Sequence, residues 1–357
     1  MMMPVRLVHQ SPSAFFVAPP RVAFRSDKKK LRNDAMDMPG GFAGCRCCAF
    51  DFELEDDTAV VEKSRGDDAN KLFEALPSDE TIVKALEHLY RFDSHTHAQE
   101  VGGEILPENF GCCAQAVDEE DWPRVLEFCS RSALYAPALG VHPWQAHLVE
   151  DEGALVLRLK EALKEHPRAI VGEIGLCKCA KNVRGDKKQA GFAKQVSVFE
   201  VQLQVALELK RPVSVHAVKV NAPLRTAIAA LHEKIRNDRI RIALHSFSGN
   251  AFHVRDLLTF SSVDLYFGFS YAVNVDMNLQ NDTSNKKKAA LYETIRAVPK
   301  DRLLVESDTN DLKTAKVHTD RAIALVAAAR GWSLADAANT TARNALNWLG
   351  TAAVPPP

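Results

Sequence analysis

The chain has 357 residues, of which 46% are hydrophobic and 25% are charged, and its formal net charge is -1. This is the composition of an ordinary globular protein, and no apolar run approaches the roughly 20 residues of a membrane-spanning helix, so we expect no integral membrane protein. The eight cysteines, without a secretory signal, favour reduced thiols in an intracellular compartment.

The charge is distributed unevenly along the chain. Residues 1–34 carry seven basic and two acidic side chains, whereas residues 35–90 carry five basic and thirteen acidic ones. The first segment has the composition of an organellar presequence, with a disordered basic tail as the alternative. Within the second segment, residues 35–76 lack sustained periodicity and predict a loop-rich or disordered linker. We therefore expect an extension over 1–77, a folded domain over 78–350 and a tail over 351–357, in a cytoplasmic or organellar protein.

The folded part opens with a helix, for which Ser78 is the expected cap, and a short strand that ends in His95-Thr96-His97. Alternate residues of a strand share one face, so His95 and His97 can hold one metal ion from the end of the strand. Such a pair alone is more often part of a polar loop, because a metal site needs further ligands from other segments.

After this strand the sequence alternates short β-rich runs with helical patterns. The first predicted strand ends near His97, and the other seven span 109–117, 133–141, 169–175, 211–216, 241–249, 263–269 and 302–308. Helical patterns separate most of them, with little room for a helix before Asn109, and two helices over 314–330 and 333–349 close the chain. This order predicts an α/β fold, a (β/α)8 TIM barrel with a mostly irregular N-terminal extension. An open doubly wound sheet would need a Gly-rich first turn, which is absent.

Candidate metal ligands recur where these strands end. They are His95 and His97 on strand 1, Glu173 on strand 4, His216 on strand 5, His245 on strand 6 and Asp308 on strand 8. A lone strand histidine is more often a core or rim residue. In a parallel barrel, however, the carboxyl ends of all strands surround one mouth. Six candidates at matching positions therefore predict one site for one or two divalent cations.

The segment from Phe92 to Leu349 resembles the TatD-type metal-dependent deoxyribonucleases, within the wider amidohydrolase-like barrels. The motifs that carry the resemblance are Phe-Asp-Ser-His-Thr-His, Gly-Val-His-Pro-Trp, Val-Gly-Glu-Ile-Gly-Leu, Pro-Val-Ser-Val-His, Leu-His-Ser-Phe-Ser-Gly and Leu-Leu-Val-Glu-Ser-Asp. Their order and spacing are more specific than any one motif. Arg211 to Val218 and the helix before it look most like a eukaryotic TatD-like branch.

The resemblance implies a role for each candidate residue. His95, His97 and Asp308 would hold a first metal, Glu173 would bridge, and His216 and His245 would hold a second. His142 would contact or position the scissile phosphate, Asp308 would accept the proton of the attacking water, and Lys219 would contact substrate. The implied cofactors are one or two ions of Mg²⁺, Mn²⁺ or Zn²⁺. The implied partner is DNA, as single strands or ends, with no membrane and no obligate protein partner.

Departures from the family pattern leave the substrate open. The family commonly has Asp at the position of Cys177, and Lys219 is the nearest basic residue to His216. Residues 91–357 carry a net charge of only +2, so we expect a local basic patch, not a broad nucleic-acid surface. A deoxyribonuclease is the favoured prediction. The alternatives are a metallohydrolase of a small ester, amide or phosphate, and a barrel retained as an interaction protein.

Overall fold

The structure is a computed structural model, and it describes residues 69–101, 107–235, 238–279 and 285–353. Residues 1–68, which include the predicted presequence and most of the predicted linker, lie outside the described residues. Residues 69–76 pack against the barrel, with the Phe73 ring 4.9 Å from that of Tyr292. Within the described ranges no helix is long and apolar enough to cross a membrane.

Eight parallel strands form one sheet in sequence order. They are β1 (Arg91–Thr96), β2 (Phe110–Gln115), β3 (Tyr135–Leu139), β4 (Ile170–Cys177), β5 (Val213–Val218), β6 (Ile240–Leu244), β7 (Val263–Ser270) and β8 (Leu303–Glu306). The described α-helices of eight or more residues, with one shorter helix after β6, are α1 (Asp79–Leu86), α2 (Trp122–Ser130), α3 (Glu152–Glu165), α4 (Lys188–Glu208), α5 (Asn221–Lys234), α6 (Ala251–Leu257), α7 (Lys286–Ala297), α8 (Leu312–Arg330) and α9 (Leu334–Leu349). A π-helical segment, Ala272–Met277, follows β7. The predicted (β/α)8 barrel is confirmed.

Local sequence signals account for several helix boundaries. Ser333 caps α9, as predicted, since its hydroxyl accepts a hydrogen bond from the Asp336 amide at 3.0 Å. Ser78 caps α1 in the same way, through the Thr81 amide. The strand ends were predicted less exactly than the helix caps. Strand β6 ends one residue before His245, and β8 ends two residues before Asp308. Both side chains therefore lie at the first positions of the following loops.

The seam between β1 and β8 closes the barrel through a side chain and the adjoining loops. Asp93 Oδ1 accepts hydrogen bonds from the Ser307 amide at 2.9 Å and the His95 amide at 3.2 Å. The Asp308 amide donates to the carbonyl oxygen of His95 at 3.0 Å, and the His97 amide donates to that of Thr309 at 2.8 Å. The first and last strands are thus joined at the residues that carry the predicted ligands.

The amino ends of the strands are covered by α9. Buried Trp348 donates from Nε1 to the Val213 carbonyl at 3.2 Å, and Asn344 donates to the Leu303 carbonyl at 2.8 Å. Nearby, the buried Arg91 guanidinium pairs with Asp320 of α8 at 3.2 Å. We call this end, defined by Arg91, Asp320, Asn344 and Trp348, the floor, and the opposite end, at the carboxyl ends of the strands, the mouth.

Candidate metal centre

Glu173 lies at the centre of the mouth, and imidazoles surround its carboxylate. Oε2 is 3.4 Å from His95 Nε2 and 3.3 Å from His97 Nε2. Oε1 is 2.9 Å from His216 Nδ1 and 2.8 Å from His245 Nε2, and these two nitrogens are 3.0 Å apart. One carboxylate therefore contacts two pairs of imidazoles, one pair at each oxygen.

The other predicted residues lie around this centre at different depths. Nε2 of His142 is 3.3 Å from Glu173 Oε1. Asp308 is 3.8 Å from His95 Nε2 through Oδ1, and its side chain is 17% exposed, against 2% for Glu173. Lys219 is outside the cluster. It follows the last residue of β5, its side chain is exposed, and its backbone has a left-handed φ of 56°. The structure thus brings seven of the eight predicted residues together and leaves the eighth on the rim.

Neighbouring groups fix which imidazole nitrogens face the centre. The outer nitrogen of His97, Nδ1, is 3.0 Å from the Gln115 carbonyl oxygen, which can only accept a hydrogen bond. In the neutral ring Nδ1 therefore carries the proton, and the lone pair of Nε2 points at Glu173. The Nδ1 atom of His95 lies 3.3 Å from the Ser214 hydroxyl.

The same reasoning gives His142 the opposite tautomer. Its Nδ1 accepts a hydrogen bond from the Trp144 amide at 3.2 Å. In the neutral ring the proton is then on Nε2, the atom nearest to Glu173. His142 therefore presents a donor to the centre, whereas His97 presents a lone pair.

This arrangement fits a bound cation. The lone pair of His97 Nε2 faces a carboxylate oxygen at 3.3 Å, so a positive charge, either a proton or a metal ion, must lie between them. Burial alone would lower the pKa of His97, but the Glu173 carboxylate outweighs it and raises that pKa to about 9. Burial alone would raise the pKa of Glu173, but the imidazoles of His142 and His245 hold it well below its usual range.

Two buried ring nitrogens also fit a bound cation. Among the described residues, His216 Nε2 and His245 Nδ1 are buried without a hydrogen-bond partner. Three sets of donor atoms lie within 4.8 Å of one another, and they are His95 with His97 and Glu173, His95 with His245 and Asp308, and His142 with Glu173 and His216. Imidazoles with carboxylates suit first-row divalent ions. Because the sets share His95 and Glu173, the division of the ligands between two ions stays a prediction.

Ser246, which sequence reasoning did not select, contacts the carboxylates of Glu306, the last residue of β8, and of Asp308 in the loop that follows. The Ser246 hydroxyl is 3.1 Å from Glu306 Oε1 and 3.0 Å from Asp308 Oδ2, and its amide also donates to Glu306. Ser94 donates to the other Glu306 oxygen at 3.0 Å. Glu306 is thus a hydrogen-bond acceptor through both carboxylate oxygens. Ser246 could have been found from its place directly after His245.

Burial alone would raise the pKa of Asp308, but the imidazoles of His245 and His95 lower it. Asp308 is therefore ionised near neutral pH. An ionised and partly exposed carboxylate beside the ligand cluster can accept a proton at Oδ1 or Oδ2.

Cys177 is the last residue of β4. Its buried sulfur accepts a hydrogen bond from Trp144 Nε1 at 3.3 Å. The Trp144 ring contacts the His142 ring edge-on at a centroid distance of 5.2 Å. A hydrogen bond from the Cys177 thiol, with Lys219 and Arg184 nearby, lowers the pKa of Cys179 to about 6. The Trp144 ring therefore links Cys177, and through it Cys179, to His142 of the candidate centre.

Comparison with known proteins agrees with this geometry. The model of the family "TatD related DNase" matches residues 92–350. The chain is 25% identical to the Cut9-interacting protein scn1 of Schizosaccharomyces pombe, over 52% of this chain and 64% of that protein. It is 27% identical to the 3'-5' ssDNA/RNA exonuclease TatD of Cronobacter turicensis, over 53% and 62%. The chain therefore spans less than two thirds of either relative.

Among solved structures, the barrel is similar to that of YjjV, a TatD homolog from Escherichia coli K12. The TM-score is 0.56 at 20% identity, over 74% of this chain and 98% of that one. At this identity the likeness shows the fold alone.

Proposed function

This chain belongs to the TatD-related DNase family of metal-dependent hydrolases, and from that premise we propose that it hydrolyses phosphodiester bonds of nucleic acid, with single-stranded DNA or DNA ends as the substrate. The observation that carries the proposal is the convergence of five imidazoles, that of His142 included, on the Glu173 carboxylate at 2.8–3.4 Å, beside a second carboxylate, Asp308. Such a set of donors is typical of a hydrolytic metal site.

The proposed ligands of one or two ions of Mg²⁺, Mn²⁺ or Zn²⁺ are His95, His97, Glu173, His216, His245 and Asp308. A divalent cation held there lowers the pKa of a coordinated water and offsets negative charge on the phosphoryl oxygens. The protein orients these ligands through groups such as the Gln115 carbonyl and the Ser246 hydroxyl.

Three side chains have proposed roles toward the substrate. Asp308 accepts a proton at its carboxylate, which its lowered pKa keeps ionised. His142 donates a hydrogen bond from Nε2 to a phosphoryl oxygen, because its Nδ1 already accepts from the Trp144 amide. Lys219 attracts the phosphate backbone from the rim.

The names of the relatives bear on the substrate. The Cronobacter protein is named for action on both single-stranded DNA and RNA from the 3' end, which supports a single strand as substrate. It does not favour DNA over RNA. The fission yeast protein is named for an interaction, so the interaction-protein alternative stays among the outcomes of the test.

The test is metal analysis of the purified chain, followed by incubation with end-labelled single-stranded DNA, duplex DNA and single-stranded RNA under Mg²⁺, Mn²⁺ or Zn²⁺. Glu173→Gln is the site variant, and Glu161→Gln, at an exposed position on α3, is the matched control. We expect metal-dependent cleavage by the wild type and the control alone. Cleavage that survives in Glu173→Gln would refute the site assignment. Bound metal without cleavage would favour a small-molecule hydrolase, and neither metal nor cleavage would favour an interaction protein.

A further inference from the structure

A groove of about 840 Å³ lies on the mouth side of the barrel, next to the ligand cluster. Its walls are Lys178 just after β4, the segment 219–225 that leads from β5 into α5, and the segment 248–257 that leads from β6 into α6. We call it the β5–β6 groove. Lys219 and Ser248 each follow a proposed ligand, His216 and His245, by three residues. Two of the groove's walls therefore begin within three residues of proposed ligands, on the same side of the barrel.

The charge of the β5–β6 groove is positive. Lys178 and Lys219 are exposed, and neither pairs with a carboxylate among the residues that the structure describes. The only carboxylate in the lining is Asp256, which already pairs with Arg225 at 2.7 Å. Two lysines without a carboxylate partner thus lie here, one of them, Lys219, near the Cys179 thiol, in a domain whose residues 91–357 carry a net charge of only +2. The N-terminus of α5, at Asn221, adds a partial positive charge.

One side of the groove presents an aromatic ring to solvent. Phe252, at the second position of α6, is 67% exposed, and no other aromatic residue is so exposed in the part of the chain that the structure describes. Its ring is inclined at 73° to that of His253, with 5.8 Å between the two centroids. Exposed aromatic rings beside basic side chains are how proteins bind single strands without sequence readout, since the ring stacks on a base and the cations follow the backbone.

We propose that the β5–β6 groove binds the nucleotides of a single strand that lie next to the scissile bond, with a base stacked on Phe252 and backbone phosphates beside Lys178 and Lys219. This inference rests on the proposed function and names its substrate-binding surface. A duplex presents no unstacked base to Phe252, so the groove selects single strands. The groove reads no base edge, so it accepts DNA and RNA alike.

The test measures binding of a fluorescent twelve-nucleotide oligo-dT to the full chain in EDTA by anisotropy. The groove variant is Phe252→Ala with Lys178→Glu, and the matched control is Leu157→Ala with Lys164→Glu, two exposed positions on α3. We expect the groove variant to bind about tenfold more weakly, with the control unchanged. The slope of its log binding constant against log salt concentration should correspond to about one released ion fewer. Phe252→Trp should restore binding, whereas Phe252→Leu should not, because leucine is apolar but cannot stack.

A second readout separates this inference from the proposed function. We compare kcat/KM for the twelve-nucleotide strand with kcat/KM for a dinucleotide, which is too short to reach the groove. The ratio should fall about tenfold in the groove variant. An unchanged ratio with unchanged binding would overturn the groove while hydrolysis stands. If the wild type binds the strand through Phe252 but cleaves neither substrate, the groove stands and the proposed function fails. A wild type that binds no oligonucleotide would overturn the groove directly.

Discussion

At the floor, the Arg91 guanidinium faces the Asp320 carboxylate at 3.2 Å, so opposite charges meet. At the mouth, the Glu173 carboxylate faces the imidazole nitrogens of His97 and His245, one of which presents a lone pair. Both ends bury charged groups, but the guanidinium at the floor is always positive, whereas the imidazoles at the mouth are positive only while protonated. The floor therefore supports the fold by itself, whereas the mouth is complementary to a cation that the chain does not supply.

The largest expected effect separates activity from stability at the mouth. Glu173→Gln should lower phosphodiester hydrolysis at least about a thousandfold, because the cation loses a ligand that contributes several kcal/mol. In EDTA it should lower the free energy of unfolding by less than the floor variant described next, since buried imidazoles can release their protons when the carboxylate is removed, whereas a guanidinium cannot. Steady-state kinetics and urea unfolding check both parts. A large loss of stability would show that the mouth supports the fold as the floor does.

The corresponding change at the floor should do the reverse. Asp320→Asn removes the charge that pairs with buried Arg91, and we expect a loss of about 3 kcal/mol in the free energy of unfolding. Hydrolysis by the folded variant should stay within about twofold of the wild type. Asp301→Asn, whose side chain is 73% exposed beside Arg302, is the control and should change stability by less than about 1 kcal/mol. Urea unfolding compares the two, and equal effects would contradict the distinction.

Metal addition should stabilise the protein through the mouth alone. At a hundred times its Kd, Mn²⁺ should raise the free energy of unfolding by about 2.7 kcal/mol and the thermal midpoint by roughly 5 °C over EDTA. Glu173→Gln should lose most of this shift, whereas Asp320→Asn should keep it from a lower starting midpoint. Differential scanning fluorimetry measures both. A full shift in Glu173→Gln would place the bound metal elsewhere.

The smallest effect concerns thiols at the mouth and in the barrel wall. Because the pKa of Cys179 is lowered to about 6, its alkylation by iodoacetamide should be half-maximal near pH 6 and constant above about pH 7. Burial raises the pKa of Cys112 and Cys113, both on β2, so these should stay unlabelled at pH 7 in the folded protein. Peptide mass spectrometry across pH 5–8, with unfolded chain as the control, resolves the sites. Equal labelling at the three cysteines would refute the difference.

The sequence predicted which end of the barrel carries the candidate site, and most of the residues there, because both follow from the order of strands and strand-end residues along the chain. Strand length and the residue at the end of each strand are readable from the chain, and parallel strands bring those ends to one edge. His95, His97, Glu173, His216 and His245 could be placed in this way.

Other parts of the site could not be predicted, because they depend on atoms that no residue type identifies. The Gln115 carbonyl orients His97, yet every residue has a carbonyl. Ser214 and Ser246 have ordinary hydroxyls, and only tertiary packing brings them to His95 and Asp308. The periodicity of α9 predicted a helix, but not that Trp348 would cover the amino end of the barrel. Phe252 reads as one more apolar helix residue until the structure shows its exposure.

The candidate site is complete only after the seam between β1 and β8 has formed. His95 and Asp308 are separated by 212 other residues in the chain, yet the Asp308 amide bonds to the His95 carbonyl, and Asp93 bonds to the Ser307 amide. A chain still emerging during synthesis, or truncated before β8, holds the paired histidines without Asp308 and without a closed barrel. The ligand set is complete only when the two ends of the domain meet. The proposed hydrolysis therefore requires completed folding, and we expect fragments of the domain to be inactive.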